Sequence, residues 1–178
     1  MKRSTKLIYF GFGLGLGLMA REMWKNAEGL KHWAGPQALQ LISRGASLED
    51  LVAELEATGN RASQQLLEKM PTERNYKLLS HIIGIERWGQ SRLEVALGER
   101  SLSMDEYNAY RPKIGISWNE LQDEFVTTRK QTVELAKRLA SQEGNNVTVM
   151  HNEFGELSVL HWLVYLRQHA NSELWKMN

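Results

Sequence analysis

Residues 157–177 read LSVLHWLVYLRQHANSELWKM and predict the last helix of the chain. The apolar face of this helix has residues at helical spacing, namely Leu160, Leu163, Leu166 and Ala170. The same segment carries His169 and Glu173, which are four residues apart and therefore lie on one face, one turn from each other. We expect a helical bundle to form around this segment, with both side chains inside it.

Three further amphipathic segments precede this helix. The first is predicted to start at Ser47 and to end before Pro71. The second runs from about Thr72 to Leu97, and the third begins after a cap at Ser117. The third has the clearest seam, in which residues alternate at spacings of three and four: Trp118, Leu121, Phe125, Thr128, Thr132, Leu135 and Leu139. The segment VTVM, residues 147–150, is too short and isolated to predict a sheet. The sequence therefore predicts an all-α four-helix bundle.

The second predicted helix supplies a third candidate ligand, His81. It recurs with Leu78, Ile85 and Trp88 at spacings of three, four and three, so it lies on the face expected to be buried. A buried imidazole needs hydrogen-bond partners or a metal. Two histidines and a carboxylate suffice for zinc with one open position, and they also suit iron, nickel or manganese. The alternative is that His81 is a hydrogen-bonded core histidine and that His169 and Glu173 form a side-chain pair on the helix surface.

The composition excludes several classes of function. The chain has 178 residues, of which 42% are hydrophobic and 24% charged, and its formal net charge is +1, so it shows no basic excess for nucleic acid. Cysteine is absent, which excludes disulfides, cysteine-ligated zinc and a thiol nucleophile. No phosphate-binding glycine–lysine loop and no Ser-His-Asp set in a motif context is present.

The amino-terminal 46 residues divide into two parts. Residues 1–21 are an apolar segment whose core, LIYFGFGLGLGLMA at 7–20, follows three basic residues. As a helix it spans roughly 21 Å at 1.5 Å per residue, less than the ~30 Å hydrocarbon core of a bilayer. Three interpretations fit this segment, namely a membrane anchor, an apolar tail that folds onto its own domain or a partner, and a cleaved signal peptide. Residues 22–46 predict a connector with short helices, one of which has Pro36 in its first turn and runs through Ile42. The expected location is cytoplasmic or membrane-associated.

Three stretches resemble a known family. HIIGIERW at 81–88, DEYN at 105–108 and FGELSVLHWLVYLRQHANSEL at 154–174 are similar to the DinB-like superfamily of metal-dependent four-helix proteins. The resemblance covers residues 47–178 and not the amino-terminal 46. It implies an up-down-down-up four-helix bundle with a long second connection.

The same resemblance implies a divalent-metal site. In the family, a histidine of the second helix and an H-x-x-x-H pair of the last helix bind a metal, commonly nickel or zinc. His81 matches the first ligand and His169 the second, whereas Glu173 stands where the family has its third histidine. Relatives include S-transferases and isomerases that use low-molecular-weight thiols. The implied partner is a small-molecule substrate, such as a low-molecular-weight thiol. Apart from the resemblance, a second copy in a homodimer is a further candidate partner.

Two functions follow from these observations. The first is a metal-dependent enzyme, a thiol S-transferase or a hydrolase, with its metal on His81, His169 and Glu173. The second is a noncatalytic helical module that binds a partner or a membrane assembly. Other residues have expected roles of lesser weight. We expect His161 near the cavity or in the core, His151 exposed or hydrogen-bonding in a loop, and Trp88 and Trp162 in the core. Four more residues either line the cavity or are ordinary bundle surface and packing, namely Glu86, Arg87, Tyr165 and Asn108.

Overall fold

The computed structural model describes residues 28–142 and 147–178, and these residues are mostly helical. Their α-helices are α1 (Glu28–Ile42), α2 (Leu48–Leu67), α3 (Glu73–Ala96), α4 (Trp118–Ala140) and α5 (Val159–Leu174). A short 3-10 helix at Tyr107–Tyr110 and the strands β1 (Thr148–His151) and β2 (Gly155–Ser158) complete the list. The predicted all-α class is confirmed at this level. The apolar run at 7–20 lies outside the described residues, and no helix within the described part is long and apolar enough to cross a membrane.

The starts of the long helices are set by local side-chain caps, as predicted. Ser47 Oγ accepts a hydrogen bond from Asp50 N at 3.1 Å, and Ser47 N donates to Asp50 Oδ2 at 3.0 Å. Ser117 and Glu120 form the same reciprocal pair at the start of α4. Each cap satisfies backbone N–H groups that have no partner inside the helix, so these residues fix where the helices begin.

Four long helices share one interior. α2 and α3 each pack against both α4 and α5. The α4 seam faces this interior, because six of its seven predicted residues are buried and only Leu135 is half-buried. The predicted core positions Trp88 and Trp162 are 3% and 0% exposed. The apolar stripes that predicted the helices therefore also predicted the core.

A β-hairpin corrects the expectation that the chain has no strand pairing. β1 and β2 are antiparallel, with Val149 opposite Leu157, and both of these residues are buried. The indole Nε1 of Trp162 donates to the Val149 carbonyl at 3.0 Å, which holds β1 against α5. Gly155 has a φ of 73° and so suits the tight return after Phe154. Residues 157–158 thus belong to β2, and the last helix begins at Val159.

The described part of the connector is one helix, α1, with Pro36 inside it rather than in the first turn. The reason lies in the packing of its neighbour Gly35 on the hairpin. A Cβ atom on Gly35 would lie 2.6 Å from Phe154 Cε1, so the missing side chain lets α1 approach the Phe154 ring. Leu39, farther along α1, is 6% exposed and joins the core. These contacts stabilise a helix that its proline alone would disfavour.

Candidate metal centre

His81, His169 and Glu173 come together at one place. His81 lies on α3, and His169 and Glu173 lie on α5, which packs against α3. The two imidazole Nε2 atoms are 3.1 Å apart, although the residues are separated by 88 positions. One nitrogen of each histidine and one carboxylate oxygen of Glu173 all lie within 4.8 Å of one another, and all three residues are half-buried. The three predicted ligands therefore form one cluster.

The donor set fits a divalent cation. Histidine nitrogens bind zinc at about 2.0–2.1 Å, which places two nitrogens of one tetrahedral site about 3.3–3.4 Å apart. The 3.1 Å between the histidines is close to that spacing. Two imidazoles and one carboxylate leave at least one coordination position for water or substrate. The same donors also suit nickel, iron or manganese, so the set does not name the metal.

Burial favours the neutral imidazole, the form that binds metals. Burial first, and then the neighbouring His81, lower the pKa of His169 to about 3. Burial also lowers the pKa of His81, an effect that the Glu173 carboxylate opposes and Arg111 reinforces. At neutral pH both rings therefore have a free lone pair, as a metal ligand requires.

Three residues that the sequence did not single out surround the cluster. Arg111 places Nη2 at 3.3 Å from His81 Nδ1, on the side of the ring away from His169. The ring of Tyr107 meets the His81 ring edge-on, with centroids 4.9 Å apart. On the other side, Lys176 Nζ lies 2.5 Å from Glu173 Oε1. The cluster thus has a cation at each end.

Gly84 lets the loop after the 3-10 helix close over His81. A Cβ atom on Gly84 would lie 2.8 Å from Arg111 Cγ and 3.1 Å from the Tyr107 carbonyl oxygen. Gly84 is three residues after His81 on α3, so both residues lie on the same face of the helix. A glycine at that spacing from a candidate ligand was the one sequence signal that could have pointed to this contact.

His151 is buried and lies outside the cluster. Its exposure is 3%, which overturns the expectation of an exposed residue, and its Nδ1 accepts hydrogen bonds from the N–H groups of Glu153 and Phe154, as a loop hydrogen-bonding residue would. Burial lowers its pKa to about 3. Tyr165 lies between the two sites, with ring centroids 4.9 Å from His151 and 5.9 Å from His169. Tyr165 therefore lies beside the cluster and also packs against the core.

The other expected lining residues have different roles. Glu86 and Arg87 make contacts from α3 to α4, Glu86 with Arg129 at 2.8 Å and Arg87 with Glu124 at 2.8 Å. His161 lies in the first turn of α5, with Nδ1 at 3.1 Å from Ser158 Oγ, and is absent from the cluster. Asn108 is exposed in the 3-10 helix. None of these four residues belongs to the candidate cluster.

Comparison with protein-family models, curated proteins and solved structures gives no match to this chain.

Proposed function

We propose that this protein is a divalent-metal-dependent enzyme of the DinB-like type, with thiol S-transferase or hydrolase chemistry at His81, His169 and Glu173. The observation that carries the proposal is the approach of the two Nε2 atoms to 3.1 Å, with the carboxylate within 4.8 Å. These side chains come from two helices far apart in sequence and share one half-buried place.

The directions of the helices support the DinB-like order. The contact of Leu66 with Gln122 pairs the end of α2 with the start of α4, so these two helices are antiparallel. The contact of His81 with His169 pairs the first half of α3 with the end of α5, so these two are antiparallel as well. Successive contacts from α3 to α4 instead advance together, so these helices run parallel; they are Arg87 with Glu124 and Gln90 with Thr132. An up-down-down-up bundle has these relations, with the long connection between α3 and α4.

A bound divalent cation would lower the pKa of a coordinated water or hold a thiolate as a nucleophile. His81 and His169 would hold it with neutral imidazoles, and Glu173 would supply the one negative charge. Burial raises the pKa of the Tyr165 hydroxyl, so this group stays protonated at neutral pH beside His169 and can donate a hydrogen bond. Nickel and zinc are the metals we expect first, with iron and manganese next.

The second candidate is a noncatalytic helical module, which one observation favours. Lys176 is already 2.5 Å from the Glu173 carboxylate. A carboxylate paired in this way and two histidines in contact form a polar cluster that holds together without a cation. This reading predicts that the cluster affects stability alone.

Elemental analysis of protein purified without chelator or polyhistidine tag tests the proposal. We expect stoichiometric divalent metal in the wild type and its loss in His169→Ala. His161→Ala is the matched control, because it removes an imidazole from the same helix outside the cluster. Circular dichroism of each variant checks the fold. Protein without metal, even after reconstitution, would contradict the enzyme and leave the module.

A further inference from the structure

The second nitrogen of His81 faces a group that cannot accept its proton. When neutral His81 binds a cation through Nε2, the ring hydrogen is on Nδ1, which then donates. The atom 3.3 Å from Nδ1 is Arg111 Nη2, and a guanidinium has donors only. When a cation is bound, two hydrogen-bond donors therefore face each other, the Nδ1–H of His81 and the Nη2 group of Arg111.

Metal-bound histidines almost always donate this second N–H to a carboxylate, a carbonyl or water. Within residues 28–142 and 147–178, the hydrogen bonds of the structure give His81 Nδ1 no such acceptor, and Arg111 has no carboxylate within ion-pair distance, unlike six other arginines. A water molecule can accept both hydrogen bonds, but it leaves the charge unbalanced. Among the described residues, the charged groups that act on His81 are Glu173, Arg111 and Lys176, so a divalent cation and two cationic side chains would share one carboxylate there.

Arg111 is held in place by its surroundings rather than free to swing away. Its guanidinium lies over the Tyr107 ring, 5.5 Å from the ring centroid, and its Nε is buried. Its aliphatic stem packs where Gly84 has no side chain. The positive charge beside His81 is therefore a fixed feature of the site.

We infer that Arg111 and the Nδ1–H of His81 form an oxyanion subsite that binds an acidic group of the substrate beside the metal, not on it. This inference rests on the proposed function. A carboxylate fits best, because its two oxygens can take one hydrogen bond from each donor and guanidinium matches that planar geometry. A tetrahedral oxyanion such as a phosphate ester offers the same acceptors.

Reciprocal linkage gives the test. If the metal raises the affinity of the site for an oxyanion, the oxyanion must raise the affinity of the site for the metal by the same factor. The zinc affinity of the full chain is measured by competition with a chromophoric chelator, in acetate, in sulfate and in acetamide, the neutral analogue of acetate. We expect acetate or sulfate to tighten zinc binding by about tenfold relative to acetamide, within the usual range of coupling between sites.

Variants separate this subsite from direct coordination of acetate to zinc. Arg111→Met and Arg111→Gln should both lose the acetate effect and still bind zinc, and Gly84→Ala should weaken the effect while keeping the charge. Lys113→Met, which removes an exposed cation from the same loop, is the matched control and should keep it. Zinc binding with no anion effect, or an effect that survives in Arg111→Met, overturns the subsite alone. Absence of zinc binding in every condition overturns the proposed function as well.

Discussion

The ammonium group of Lys176 lies 2.5 Å from the Glu173 carboxylate, one turn beyond His169. The side chain of Glu173 is 13% exposed and that of Lys176 is 49% exposed, so one partner is largely covered and the other reaches water. Ion pairs open to solvent are worth about 0–1 kcal/mol, which is far less than the binding of a divalent cation to three ligands. Lys176 would therefore compete only weakly with a cation for the Glu173 carboxylate and would not block it.

Removal of this lysine should strengthen metal binding. Lys176→Met frees Glu173 from its partner, so the zinc affinity should rise by up to about fivefold, which corresponds to ~1 kcal/mol. Competition with a chelator measures the change. Lys137→Met is the matched control, because Lys137 pairs with Glu134 at the same spacing on α4, away from the site. A weaker affinity in Lys176→Met would contradict the competition of Lys176 with the cation for Glu173.

Mild acid should destabilise the metal-free protein through its buried histidines. His151 and His169 have pKa values of about 3 in the fold, against about 6.5 when unfolded. Below pH ~6.5 the unfolded chain takes up protons that the fold does not, so the stability falls as the pH falls toward 3. Each group contributes a slope of up to about 1.4 kcal/mol per pH unit.

His151→Asn isolates one of these slopes. The asparagine oxygen can replace Nδ1 as the acceptor for the N–H groups of Glu153 and Phe154 but cannot take up a proton. Urea denaturation between pH 6.5 and 5 measures how the free energy of unfolding changes with pH. This slope should be smaller in His151→Asn than in the wild type by up to about 1.4 kcal/mol per pH unit, the contribution of one proton. Equal slopes would mean that His151 takes up its proton to the same extent in the folded and the unfolded protein.

The buried pair of Glu86 and Arg129 should be costly to break on one side. Their side chains are 2% and 6% exposed, and burial raises the pKa of Glu86 while Arg129 opposes that rise. Arg129→Met should destabilise the protein by about 3–5 kcal/mol, because it leaves a buried charge unpaired, and adding Glu86→Met should recover most of the loss. Chemical denaturation measures both. Arg138→Met, which breaks the exposed pair with Glu99, should cost less than ~1 kcal/mol.

The cap of α4 should be measurable by one substitution. Ser117→Ala removes the acceptor for Glu120 N and should cost about 1 kcal/mol, within a range of about 0.5–2. Ser141→Ala is the control, because its hydroxyl donates to the Arg138 carbonyl at the exposed end of the same helix. Thermal denaturation compares the two variants. If Ser141→Ala lowers the melting temperature as much as Ser117→Ala does, the Ser117 cap contributes no more than an ordinary exposed hydroxyl.

The helix starts could be predicted from the sequence because they depend on neighbours in sequence. Ser47, Thr72 and Ser117 bond to residues three positions ahead, so a local pattern contains both partners. The grouping of His81 with His169 followed from apolar periodicity and from the family resemblance, since each candidate ligand lies on a helix face that must be buried.

The hairpin and the cations around the site depend on distant contacts. β1 and β2 have four residues each, and the burial of Val149 is fixed by Trp162 on another element. Arg111 reaches His81 from a loop 30 positions away, through space left by Gly84. Such contacts depend on how helices rotate against each other, which no single segment of sequence determines.

The 88-residue separation of His81 and His169 has a consequence for folding. A cation held by both would cross-link the chain and close a long loop, so the unfolded chain could not open fully without releasing it. The melting temperature of the protein would then rise with the concentration of free metal. The supply of that ion in the cell would set how much of this protein survives proteolysis.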